Sequence, residues 1–113
     1  MEWKIYHNPK CSKSRQTLEI LQNKGVQVEV IEYLKTGLSL KEIEDLSVYL
    51  NLPVSSFIRK KENLFKELNL AHASEEELKQ ALEKNSSLLE RPIVVREEKA
   101  VIGRPPENVN RLF

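Results

Sequence analysis

Apolar and polar residues alternate through Val26-Gln27-Val28-Glu29-Val30-Ile31-Glu32-Tyr33, the period-two pattern of a strand with one buried face. Glu2-Trp3-Lys4-Ile5-Tyr6 alternates in the same way and predicts an earlier strand. Between them Thr17, Leu18, Ile20 and Leu21 follow helical spacing, closed by Gly25. Strand, helix and strand within about thirty residues make a βαβ unit, for which parallel strands and a right-handed crossover are expected. Lys35-Thr36-Gly37 breaks the pattern. Ser39-Leu40-Lys41-Glu42 is then a capping box, and Leu40, Ile43, Leu46 and Leu50 carry a helix to about Leu50.

Pro53 suits the first turn of a further short helix through Ser55, Phe57 and Ile58, because its missing amide is no loss there. A second capping box, Ser74-Glu75-Glu76-Glu77, opens a helix with Leu78, Ala81 and Leu82 on one face, ending near Lys84 or Asn85. Ile93-Val94-Val95 and Ala100-Val101-Ile102, separated by Arg96-Glu97-Glu98-Lys99, predict a hairpin. Pro105-Pro106-Glu107 starts a short terminal helix. The order predicts an α/β chain with a mixed sheet of about four strands and a helical middle.

The 113 residues suit one domain, able to bury roughly two-thirds of its unfolded surface without a disulfide or metal staple. Eighteen basic against 17 acidic residues leave a net charge of +1, which argues against bulk nucleic-acid binding. No run reaches membrane-spanning length and no signal-peptide pattern opens the chain, so a cytoplasmic protein with no membrane association is expected. A single cysteine fits a reducing compartment.

That cysteine, Cys11, stands between the first strand and the first helix, among Lys10, Ser12, Lys13, Ser14 and Arg15. A buried structural cysteine sits in an apolar run; this one sits in a polar, cationic stretch just before a helix N-terminus. Unpaired amides, the positive end of the dipole and nearby cations favour thiolate and cradle anions. A thiolate attacking an anion needs fixed positive charge, and arginine's planar fork can hold two oxygens of an oxyanion. Arg59, Arg91 and Arg104 all fall at element boundaries. Pro92 and Pro105 restrict the backbone of the last two. Arg15, in the first helical turn, opposes the dipole and so calls for a partner. His7 and His72 lack ligand spacing with Cys11, and no glycine-rich phosphate loop is present, so neither a metal nor a bound cofactor is expected.

His7-Asn8-Pro9 with Cys11, Ser14 and Arg15, then Phe57-Ile58-Arg59-Lys60, Arg91-Pro92-Ile93-Val94-Val95 and Gly103-Arg104-Pro105-Pro106-Glu107 occur in this order over nearly the whole chain. In these motifs the chain resembles the glutaredoxin-linked arsenate reductase family, and more closely its short bacterial branch. The resemblance implies a single thioredoxin-like domain over residues 1–113, a βαβ–ββα sheet with a helical insertion at about 38–86. It implies Cys11 as the nucleophile that forms a thiol–arsenate adduct, and Arg59, Arg91 and Arg104 as oxyanion-binding residues. It further implies His7 near the thiol, helping to hold the thiolate, and Pro92 as a cis-proline beside the catalytic loop. Ser14 falls where dithiol thioredoxins carry a second cysteine, so its hydroxyl is expected to donate to Cys11. Ser12 and Lys13 replace the Gly-Thr pair of the best-known members.

With no second cysteine, an external thiol must resolve the adduct; glutathione as co-substrate, followed by glutaredoxin, is the expected supply. A monomer is the expectation for a domain this small. Two other readings use the same residues. One is a thiol-exchange enzyme acting on another oxyanion or a glutathionylated substrate. The other is a non-enzymatic regulator of the same fold that binds RNA polymerase, although Cys11-Ser12-Lys13-Ser14 cannot form the disulfide switch of such proteins.

Overall fold

Trp3–Tyr6 (β1), Ser12–Asn23 (α1) and Val28–Ile31 (β2) form the expected strand–helix–strand unit in the computed structural model, which describes residues 2–113. β1 and β2 are parallel, in register from Trp3↔Val28 to Tyr6↔Ile31. β2 is shorter than the alternation predicts because both its ends are claimed by helical turns. At its start, the Val26 amide donates to Leu21 O and the Gly25 amide to Gln22 O, closing α1 in a Schellman turn with Gly25 at φ 73°. At its end, Glu32 O accepts the amides of Lys35 and Thr36, and Tyr33–Thr36 (α2) is one helical turn.

The chain up to Thr36 together with Arg91–Phe113 makes one compact unit, and Gly37–Glu90 makes another. In the first, Ile93–Arg96 (β3) runs antiparallel to β1 and Lys99–Ile102 (β4) antiparallel to β3, giving a four-stranded mixed sheet in the order β2-β1-β3-β4. Arg96 and Lys99 pair with each other, so the hairpin loop is tighter than the four residues expected. Trp3, Ile5 and Val94 on one sheet face pack with Leu21 of α1 and with Val109 and Leu112. The last two belong to the terminal segment Pro106–Leu112, a 3-10 helix where a short helix was expected.

The second unit is helical. Leu40–Leu50 (α3) and Glu75–Lys84 (α5) each begin with a complete capping box, Ser39 with Glu42 and Ser74 with Glu77. Asn63–Glu67 (α4) and a 3-10 turn at Leu70–His72 lie between them; neither has a side-chain cap, which is why the sequence pattern does not reveal them. Pro53 caps only a 3-10 turn, Val54–Ser56, whose amides at Val54 and Ser55 donate to the Glu75 carboxylate. Phe57 and Ile58 are not helical: Ile58 bridges to Leu89, and backbone bonds from Arg59 to Leu88 O and from Glu90 to Phe57 O fasten the two segments. No helix among the described residues is long and apolar enough to cross a membrane.

Candidate active site

Sheet register gathers three of the sequence motifs. Tyr6 at the end of β1 pairs with Ile93 at the start of β3, and Ile93 pairs with Ile102 at the end of β4. The loop His7–Cys11, the dipeptide Arg91-Pro92 and the segment Gly103-Arg104 therefore all leave the sheet at the same end. The Arg91–Pro92 and Arg104–Pro105 peptides are both cis; the second was not anticipated.

Cys11 is the N-cap of α1, with extended backbone at φ −97° and ψ 122°. Its loop is shaped by Asn8, which accepts the Lys10 amide on Oδ1 and the Cys11 amide on its carbonyl. The sulfur is buried, and burial pushes its pKa up. Opposing this are the Ser14 amide, the Arg91 charge, the Lys13 amide and a hydrogen bond from Arg91, and together they leave the thiol below its ordinary value. Lys13 and Ser14 are the second and third residues of α1, so their amides are two of the unpaired donors at a helix start. Arg104 adds a guanidinium Nη1 at 3.7 Å from Sγ, with the same nitrogen 3.3 Å from Arg91 O.

His7 and Ser14 take roles other than those expected. Ser14 is fully buried, and its Oγ accepts the Asn8 amide at 3.0 Å and lies 2.6 Å from His7 Nδ1. The Ser14 oxygen keeps a second lone pair and its own proton, so the bond to Nδ1 is open to either direction and follows the imidazole tautomer. Burial lowers the His7 pKa, and Arg15 lowers it further against the opposing effect of Glu32. His7 is bonded to Ser14 and makes no hydrogen bond to Cys11. The Ser14 hydroxyl likewise does not reach Cys11, and it is the Ser14 main chain that serves the sulfur. Arg15 finds its partner in Pro9 O, at 2.9 Å.

The segment carrying Arg104 is held tightly. Gly103 donates its amide to Pro92 O at 2.8 Å. A Cβ at Gly103 would lie 2.7 Å from Thr17 Oγ1 and 2.8 Å from Pro92 Cγ, so only glycine lets the segment come this close to α1. Thr17 is fully buried and donates to Lys13 O at 2.8 Å. Asn108 bonds the carbonyls of Ile102 and Arg104. Neither Thr17 nor Asn108 was singled out from sequence; a polar residue inside the apolar stripe of α1 was the available signal for Thr17.

Arg59 belongs to the second unit, where its guanidinium pairs with Glu62 at 2.9 Å. His72 lies exposed in the same unit. Among the described residues no three His, Cys, Asp or Glu side chains gather as metal ligands. A cleft of about 530 Å³ beside Arg96, Lys99, Arg111 and Phe113 lies at the other end of the β1–β3 pair, remote from Cys11.

The model of the ArsC family matches residues 6–112. An uncharacterised Escherichia coli protein, YfgD, is 52% identical over 109 residues, covering 94% of this chain and 92% of its own. An arsenate reductase of Haemophilus influenzae is 46% identical over 108 residues, covering 93% of each. The solved structure of an arsenate reductase from Vibrio cholerae, 46% identical, aligns with a TM-score of 0.96 over 100% of this chain and 98% of its own. The sheet order and the likeness to these structures establish a thioredoxin-like fold. With the family match running through all the motifs around Cys11, Arg91 and Arg104, the chain belongs to the ArsC family.

Proposed function

We propose that this protein reduces arsenate, with Cys11 as nucleophile and glutathione and glutaredoxin as the source of electrons. The observation that carries the reading is the thiol itself, lowered in pKa by helix-start amides and Arg91, with Arg104 3.7 Å away. The names of the relatives support arsenate as the substrate. In the first step Cys11 thiolate bonds to As(V) and displaces hydroxide, with no change in oxidation state. Amides of Lys13 and Ser14 and the guanidinium groups of Arg91 and Arg104 offset repulsion between the two anions. Arg59 is included as a third oxyanion-binding arginine because its motif resembles the family's.

Cys11 is the only cysteine of the chain, so the second thiol must come from outside. Glutathione thiolate displaces a second hydroxide from arsenic. A glutaredoxin thiolate then attacks the glutathione sulfur, a disulfide forms, and the electron pair of the breaking As–S bond reduces As(V) to As(III). Hydrolysis of the remaining As–S bond returns the Cys11 thiol and releases arsenite. The balance is one arsenate and two thiols in, and one arsenite, one disulfide and one water out.

The test is turnover of arsenate by purified protein with glutathione and glutaredoxin. Cys11→Ser is expected to abolish it and Arg91→Ala to lower it by about two orders of magnitude or more, the typical loss of one charge-stabilising donor. Parental activity in both variants would refute the mechanism.

A further inference from the structure

We infer that Asn108 is a positioning residue that sets the Arg104 guanidinium beside Cys11. The inference rests on reading Cys11 and Arg104 as parts of one anion-directed thiol site. Arg104 is an exposed, long side chain on an irregular segment between β4 and the terminal 3-10 helix, yet its tip lies 3.7 Å from a buried sulfur. Such a contact persists only if the backbone at Arg104 has a fixed direction, because a shift at the root of the side chain is carried to its tip.

Asn108 supplies that fixity. Its Nδ2 donates to Ile102 O and to Arg104 O, both at 3.1 Å, bridging the carbonyls on either side of Gly103. Its main-chain amide donates to Pro105 O at 3.0 Å. Three donors from one residue thus hold residues 102, 104 and 105. Two carbonyl oxygens facing one side-chain group require an NH₂ with two protons, which asparagine has and an acid or a hydroxyl lacks. Asn108 is partly buried, so water competes poorly for these bonds. On the other side the Gly103 amide is tied to Pro92 O, which leaves the carbonyl of Arg104 as the end that Asn108 must secure.

A substrate-independent probe reads the position of the guanidinium. Cys11 is alkylated with anionic iodoacetate and with neutral iodoacetamide at one pH, and the ratio of the rates removes the thiolate fraction. A cation held near the sulfur raises this ratio. Arg104→Ala and Asn108→Leu are each expected to lower it about threefold or more at low ionic strength. Asn108→Ala, which removes the amide without adding an apolar branch, is expected to do the same. The double variant Arg104→Ala/Asn108→Leu should match Arg104→Ala alone, because both changes remove one interaction. In arsenate turnover, Asn108→Leu is expected to lower kcat/KM about tenfold, a typical scale for slight misplacement of a binding group.

A parental ratio in both Asn108 variants beside a lowered one in Arg104→Ala would overturn the inference and leave Asn108 a stability residue. Losses that multiply in the double variant would overturn it too. An unchanged ratio in Arg104→Ala itself would place the fault in the reading of the site, and the inference would fall with it.

Discussion

Replacing Ser14 by alanine separates the two things this residue does. The side chain is fully buried; it accepts the Asn8 amide at 3.0 Å and shares a 2.6 Å hydrogen bond with His7 Nδ1, whereas the backbone amide faces the sulfur of Cys11. Alanine removes only the side-chain bonds. Each buried polar group left without a partner costs about 1–3 kcal/mol. The Asn8 amide is half-buried and can recruit water, but His7 is only 6% exposed, so the loss falls mainly on Nδ1. A destabilisation of about 2 kcal/mol is expected. For 113 residues the unfolding entropy is about 0.24 kcal/mol per kelvin, so the melting temperature should fall by about 8 °C. Thermal and urea unfolding measure this, with the urea m-value unchanged. The rate of Cys11 alkylation against pH, measured on the folded variant, should keep its parental midpoint because the Ser14 amide is still present. A variant as stable as the parent whose alkylation midpoint moves to higher pH would refute the reasoning, since the hydroxyl would then be what holds the thiolate.

Arg91→Ala removes both a charge and a hydrogen bond that favour the thiolate, so the alkylation midpoint of Cys11 should move to higher pH; an unmoved midpoint would exclude Arg91 from the site. His7 has a folded pKa below the ordinary 6.5, so the unfolded chain takes up the proton first as pH falls. Stability is then complete above pH 6.5 and declines below it until the folded pKa is passed; comparing urea midpoints at about pH 5 and about pH 7.5, the decline should shrink in His7→Gln. Gly103→Ala forces a methyl against Thr17 and Pro92 and should cost about 1–3 kcal/mol, and less when Thr17 is also alanine; equal costs in both backgrounds would remove Thr17 as the obstacle.

The parts of this fold that sequence foretold are those with a local physical cause. Two capping boxes mark the starts of α3 and α5, and Gly25 marks the end of α1. Alternation marks the strands, and the mixed four-stranded sheet follows from their order. What sequence obscured came from competition for backbone groups. Val26 and Tyr33 look like strand residues but lie next to helical turns that take the hydrogen bonds, and Phe57 and Ile58 are drawn into pairing with Leu88–Glu90 instead of continuing a helix. α4 has neither a cap nor a buried residue, so nothing in its composition announces it.

The site divides along the same line. Cys11 stands out by residue type, and Arg91 and Arg104 by residue type and by the prolines that follow them. Partnerships between side chains are decided by three-dimensional placement: the Ser14 hydroxyl could have faced either Cys11 or His7, and only the burial of His7 beside it shows which. Asn108 is further still from legibility, because its value lies in two carbonyl groups that carry no side-chain identity.

The balance of forces on Cys11 also bears on how well it can attack. Burial is the largest single influence on the thiol and opposes ionisation, while amides and Arg91 together overcome it. A thiolate stabilised without such opposition would be abundant but less nucleophilic, since nucleophilicity falls with pKa and attack is fastest when the pKa lies near the ambient pH. Burial thus limits how far the thiol pKa falls, while the amides and Arg91 favour the charged form. The same guanidinium groups have a second use once an oxyanion arrives, because a bound anion competes with the thiolate for them. Binding should then raise the Cys11 pKa unless the cations serve both charges at once. Arg104 suits this because its guanidinium is a planar fork of several donors, one of which, Nη1, faces the sulfur. Arg104→Lys, which keeps the charge but loses the fork, should retain part of the iodoacetate preference while losing most of the arsenate kcat/KM. Equal retention of both would show that charge alone is what Arg104 supplies.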